Sequence, residues 1–195
     1  MKDRLLSGAP CDVLILTEAL IEQLITSGHV VAGSAHALGL VKTGVAVKSG
    51  DFEPKVDSAA ALKAALQAAA GIYFPDPVKA TAGIHFMKVL RQLGIDAEVA
   101  QRLRPYPNGA AAMQALSQAD EPGLIGCTQV TEILYTPGVQ LVAVLPKEFE
   151  LATLYTAAIC SHAEQPQAAA DLIELLISID AAGLRSAGGF DSASA

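Results

Sequence analysis

The chain predicts an α/β fold, and three observations lead there. Short apolar runs alternate with amphipathic stretches along most of its 195 residues, the order expected of strands followed by helices. Glycines and prolines fall between the runs and punctuate them. Hydrophobic residues make up 52% of the chain but aromatics only 5%, with no tryptophan, so the core must be aliphatic and closely packed. A chain of this length forms one or two small domains and buries roughly 70% of its unfolded surface.

Taken in order, Asp12–Leu16 (DVLIL) reads as a buried strand. Thr17 is placed to cap a helix running to about Ser27, and Gly28 ends it. Thr43–Lys48 (TGVAVK) alternates as a strand does. Asp57 or Ser58 caps an alanine-rich helix through Ala69, and Gly71–Phe74 is a short strand. Pro75-Asp76-Pro77 fixes φ twice in a rigid turn. Thr81 opens a helix with an apolar face at Ile84, Met87, Val89, Leu90 and Leu93, and Gly94 ends it. Leu103–Tyr106 follows as a strand, Asn108 caps a helix over Ala110–Gln118, and Leu124–Cys127 is another strand. After the Pro137-Gly138 turn come strands at Val139–Val144 and Leu151–Ile159. Helices over Gln165–Ile177 and Ala181–Ala187 close the chain, and the tail after Gly188 is expected to be loose. There is no internal repeat and no flexible linker.

Composition excludes several function classes. The formal charge is −7 and the pI about 5.0. Only Lys2/Arg4 and Arg102/Arg104 come near to basic clusters, so a nucleic-acid partner is not expected. An acidic protein can still bind a small anion, because backbone N–H groups at helix N-termini supply a local positive field. The spacing of Cys11, Cys127 and Cys160 fits no zinc motif, their odd number fits no disulfide framework, and Cys127 and Cys160 read as buried thiols. His29, His36, His85 and His162 are scattered without metal-ligand spacing. No nucleophile elbow, P-loop or dinucleotide fingerprint is present, and no cofactor is expected. No apolar run reaches the ~18 residues a membrane span needs. Met1–Pro10 carries charges but no apolar stretch of signal-peptide type, which places the chain in the cytoplasm if Met1 is the biological start.

Three strand-to-helix junctions concentrate the polar residues suited to binding. Asp76-Pro77-Val78-Lys79-Ala80-Thr81-Ala82-Gly83 offers a hydroxyl at Thr81, free N–H groups at the start of a helix, and small residues at Ala82 and Gly83 that let a ligand approach. In a parallel sheet this junction lies at the carboxyl end of a strand, where ligands bind. Asp76 before Pro77 also fits a simple turn former. Asn108 fits a second such junction, or a plain helix cap. Thr128 and Gln129, after the strand ending at Cys127, are placed to project from a strand end toward a cleft.

These residues carry a family resemblance. Gly8-Ala9-Pro10-Cys11-Asp12-Val13, His29-Val30-Val31, Gly44-Val45-Ala46-Val47, Asp76-Pro77, Thr81-Ala82-Gly83 and Ile125-Gly126 resemble, in order and spacing, segments of molybdate-type substrate-binding proteins of ABC transporters. The resemblance implies the type II periplasmic-binding fold, two α/β lobes with a ligand cleft. Lobe one would be residues 1–48 plus 136–195, and lobe two residues 49–135, with crossovers near Val47–Ser49 and Tyr135–Val139. It implies a small anion held by Asp76, Thr81, Ala82, Gly83, Asn108, Thr128 and Gln129, a transporter permease as partner, and a periplasmic location.

Two departures accompany it. The family begins with a strand–helix–strand unit that this sequence lacks, so lobe one is expected to be incomplete, with exposed edges suited to a homodimer. The tyrosine that family members place after the later strand is replaced by Cys127-Thr128-Gln129. The segment Thr128-Gln129-Val130-Thr131-Glu132-Ile133 is also similar to a subgroup akin to aconitate isomerase, which implies a second reading: an enzyme moving a proton on a tricarboxylate, with His85 or Asp76 as the base. A third reading is a truncated remnant without a ligand.

Overall fold

The computed structural model describes residues 1–192. In chain order the elements are Lys2–Leu6 (α1), Val13–Thr17 (β1), Glu18–Thr26 (α2), His36–Lys48 (β2), Ala59–Ala68 (α3), Gly71–Pro75 (β3) and Thr81–Gln92 (α4). There follow Asp96–Val99 (α5), Leu103–Tyr106 (β4), Gly109–Gln118 (α6), Leu124–Gln129 (β5), Val130–Tyr135 (α7), Val139–Val144 (β6), Ala152–Ile159 (β7), Pro166–Ile177 (α8) and Ala182–Ala187 (α9). Two compact units result. One joins Met1–Val41 to the segment from Thr153 onward, and the other is Lys42–Ala152. The sequence-based lobe limits fell at 48/49 and 135/136; the compact units divide at 41/42 and 152/153.

In the first unit β1 pairs antiparallel with β7, from Val13 opposite Ile159 to Thr17 opposite Tyr155. Alternation along the pair gives two apolar faces. Leu14, Ile21, Leu24, Val30, Ala158 and Cys160 pack on one, while Leu38, Ala157 and Ile173 pack on the other. Gly28, at φ +77°, turns the chain out of α2 as expected. Thr17 stands at the N-cap of α2 but makes no side-chain cap bond. The tail is partly anchored, contrary to expectation. Asp191 exchanges backbone hydrogen bonds of 2.8 and 2.9 Å with Leu40, and Phe190 packs edge-on to Tyr155. Gly39 permits this approach, since a Cβ there would lie 2.6 Å from the Asp191 carbonyl oxygen. The tail residues 193–195 lie outside the described residues.

In the second unit the strand order is β6-β2-β5-β3-β4. β3 runs parallel to both β4 and β5, and β2 runs antiparallel to β5 and β6. Every residue of β3 and β5 is buried, as expected of parallel strands covered on both faces. On one face Val45, Ile72, Phe74, Ile125 and Cys127 meet Phe86, Val89 and Leu90 of α4 and Leu62 and Leu66 of α3. On the other, Ala46, Tyr73 and Leu124 meet Ala112, Met113 and Leu116 of α6 and Ile133 of α7. Fully buried side chains of this kind contribute about 1.5–3 kcal/mol each. β2 begins seven residues earlier than the alternation at Thr43 suggested, because Gly39 interrupts the strand pattern without ending the strand. The short α5 and α7 were not foreseen; both are local turns of helix that follow directly on other elements.

Candidate functional site

Because β3, β4 and β5 are parallel, their carboxyl ends lie along one edge of the second unit. All seven residues singled out from the sequence stand at that edge. They fall into two groups, one on each face of the sheet.

The first group is the β3–α4 junction. Asp76 is committed to the turn: its Oδ1 accepts hydrogen bonds from the amides of Val78 (2.7 Å) and Lys79 (2.9 Å). Those two backbone donors, chiefly, hold its pKa below the ordinary carboxylate value. A carboxylate stabilised in this way is a poor proton acceptor. α4 starts at Thr81 with Ala80 as its N-cap, which has no side-chain oxygen to offer. The first helical hydrogen bond runs from Ile84 N to Ala80 O, at 2.9 Å. The amides of Thr81, Ala82 and Gly83 therefore point out of the helix end without an acceptor among the described residues. Ala82 is only 5% exposed and Gly83 is buried. Gly83 lies tight on the strand end, where a Cβ would come within 2.2 Å of Pro75 O and 2.3 Å of Asp76 O.

Two buried polar side chains share the face that carries α4. Gln129 of β5 is paired with Thr43 of β2. Each alternates with a residue of the α4-side core, Cys127 and Val45 respectively. Thr43 is 1% exposed, and its Oγ1 has no hydrogen-bond partner among the described residues. The segment Phe149–Leu151 touches both Thr43 and α4. Thr43 N donates to Leu151 O at 3.1 Å, and His85 Nε2 donates to Phe149 O at 2.8 Å. A carbonyl only accepts, so His85 carries its proton on Nε2 there. His85 thus fastens α4 rather than presenting a free nitrogen at Nε2.

The second group lies on the opposite face. Asn108 caps α6, its Oδ1 accepting from Ala111 N at 2.9 Å. Thr128 is fully buried and lies within β5, not beyond its end, because α7 begins immediately at Val130. Its hydroxyl donates to Glu132 Oε2 at 2.5 Å. The same carboxylate sits against the start of α6: a Cβ on Gly109 would fall 1.9 Å from Glu132 Oε2 and 2.1 Å from Thr128 Oγ1. The positive end of α6 is thereby faced by an internal carboxylate. Thr43, Gly109 and Glu132 were not singled out from the sequence. The one signal in the sequence is the four-residue spacing of Thr128 and Glu132, which pairs them only if a helix begins between them.

No three His, Cys, Asp or Glu side chains among the described residues converge to hold a metal ion. A pocket of about 240 Å³ opens at the amino end of β5, lined by Val47, Ala65, Leu124 and Ile125 among others. Its walls are apolar and offer little to an anion. Among the described residues no helix is long and apolar enough to cross a membrane.

Known proteins show the same fold. The periplasmic molybdate-binding protein of Azotobacter vinelandii superposes with a TM-score of 0.79 at 17% identity, covering 98% of this chain and 83% of that one. The sulfate-binding protein of Mycobacterium tuberculosis superposes with a TM-score of 0.73 at 16% identity, covering 98% and 72%. An aconitate isomerase from a Pseudomonas species is 28% identical over 182 residues, which is 92% of this chain and 67% of that relative. The α/β fold is that of the periplasmic binding proteins. A family description, bacterial extracellular solute-binding protein, matches residues 2–191, and the chain belongs to that family.

Proposed function

We propose that the chain is the solute-binding component of an ABC transporter, and that it binds a small oxyanion at the β3–α4 junction. The observation that carries this reading is the bare N-terminus of α4. Three successive amides, two of them on buried residues, lack an acceptor among the described residues, whereas Ser58 caps α3 and Asn108 caps α6. Buried donors left unpaired by protein are costly and call for a ligand or water. An anion placed there meets the amides of Thr81, Ala82 and Gly83 and the Thr81 hydroxyl, with the helix dipole behind them. Thr43, whose hydroxyl has no partner among the described residues, lies on the same sheet face two strands from β3. Such a site binds charge through neutral donors and needs no lysine or arginine. The molybdate-binding and sulfate-binding neighbours support a tetrahedral anion.

The similarity to an aconitate isomerase raises a second reading, in which the anion is a tricarboxylate that undergoes proton transfer. The two candidate bases argue against it, since Asp76 and His85 are both engaged in structural hydrogen bonds.

A thermal-shift panel tests the proposal with molybdate, tungstate, sulfate, phosphate, citrate and trans-aconitate. A ligand that binds only the folded state stabilises it by about 2.7 kcal/mol at a hundredfold excess over Kd. Melting is expected to rise with at least one tetrahedral oxyanion. A response to aconitate alone, with turnover, would favour the isomerase. No response to any of them would overturn the proposal.

A further inference from the structure

The first unit holds a feature unconnected with the anion site. Where the β1–β7 ladder runs out, the pairing continues one step: Cys160 N donates to Asp12 O at 2.9 Å, next to the Val13–Ile159 pair. This sets Asp12 opposite Cys160, with Cys11 the next residue along the chain. Cys11 is folded back onto the strand, its Sγ donating to Val13 O at 3.2 Å, and it packs against the apolar cluster that contains Cys160. Cys160 is 2% exposed and Cys11 partly exposed, and both are free thiols. Both line a pocket of about 300 Å³ together with His29, His162 and Glu164.

We propose that Cys11 and Cys160 are a redox pair that closes to an intramolecular disulfide on meeting a small-molecule disulfide in this pocket. The spacing in sequence gave no sign of it, because the partners come from opposite ends of the chain. Burial, and then a hydrogen bond with the Cys11 thiol, pushes the Cys160 thiol up to about 12. Cys160 is therefore a weak first nucleophile, and the more accessible Cys11 attacks first. The Cys11 thiolate attacks one sulfur of the external disulfide and releases one thiolate. Cys160 then attacks Cys11 in the mixed disulfide and releases the second. The two protein thiols lose two electrons and two protons, and the external disulfide becomes two thiols. His29 and His162 line the same pocket. The bond would tie the segment entering β1 to the end of β7 across a very long loop, which constrains the unfolded chain. Cys127 is fully buried in the other unit, with its thiol pKa raised by burial, and stays reduced.

The test is equilibration of the whole protein in buffers of reduced and oxidised glutathione, followed by acid quench, denaturation, thiol counting and peptide mass mapping. The expected result is a fall from three free thiols to one, a loss of two hydrogens in intact mass, and a single Cys11–Cys160 cross-linked peptide. The oxidised protein should melt several degrees higher. Cys11→Ser and Cys160→Ala should each abolish the cross-link, and Cys127→Ala should leave it. A stable glutathione adduct on Cys11 without the cross-link, a disulfide between two copies, or three thiols retained under strongly oxidising buffer would each overturn the proposal. The wild-type experiment stands even if a variant folds poorly.

Discussion

At the scale of single residues, Gly83 decides whether the β3–α4 junction can form. Its missing side chain lets α4 seat directly on the carbonyls of Pro75 and Asp76, and a Cβ at 2.2–2.3 Å from those oxygens has nowhere to go, because both obstacles are backbone. Gly83→Ala is therefore expected to cost roughly 1–3 kcal/mol, the usual range for overpacking, and to blunt any anion response by displacing the first turn of α4. The urea midpoint checks the first effect and the thermal-shift panel the second. Gly183→Ala is the control, since nothing lies within 4 Å of a Cβ in α9 and the change should be close to neutral or slightly favourable. In the sequence Gly83 stood out as a residue small enough to admit a ligand; the structure adds a packing reason. Thr43 could not stand out. It reads as one polar position in an alternating strand, and its unpaired hydroxyl is a property of neighbours distant in sequence. Thr128 was legible as a polar residue at a strand end but not as a donor to Glu132, which requires knowing that a helix starts at Val130.

At the scale of elements, the helices of the second unit differ in their beginnings. Ser58 Oγ accepts from Ala61 N at 3.2 Å and Asn108 Oδ1 from Ala111 N at 2.9 Å, whereas Ala80 offers α4 nothing. Ala80 already has the extended backbone that a capping residue adopts. Ala80→Asp is thus expected to stabilise the ligand-free protein by about 1 kcal/mol, by capping and by charge at the positive helix end. The same carboxylate would occupy the donors and repel an anion, so the thermal response to the oxyanion should shrink or vanish. A raised melting point together with an undiminished anion response would place the anion elsewhere. Caps and turns were the most legible elements because their chemistry is local: Ser58, Asn108, Gly28, Gly94 and Pro137-Gly138 all punctuate where the sequence said they would. The early half of β2 and the anchoring of Phe190 and Asp191 were illegible for the opposite reason. Gly39 weakens the strand signal locally, and only the returning tail explains why a glycine belongs there.

At the scale of the whole molecule, the proposed site must work against the protein's own charge. The chain carries 20 acidic and 13 basic side chains, a formal charge of −7. A divalent anion approaching it is repelled at long range and attracted only within the last few ångströms, by amides and a helix end. The two forces respond differently to salt. The Debye length falls from about 30 Å at 0.01 M to about 8 Å at 0.15 M ionic strength, so the diffuse repulsion is screened away while the contacts at the helix end are little changed. The association rate constant for the oxyanion identified by the thermal-shift panel should therefore rise with ionic strength, by up to a few-fold over that range. Binding to a lysine- or arginine-lined patch gives the reverse, a steep fall. Stopped-flow association at several potassium chloride concentrations distinguishes them, with competition by chloride measured separately at equilibrium. A rate that rises and levels off as the Debye length becomes shorter than the protein radius fits a neutral-donor site in an acidic protein. A rate that falls throughout would mean that a basic cluster guides the anion, and the bare end of α4 would lose its claim to the site.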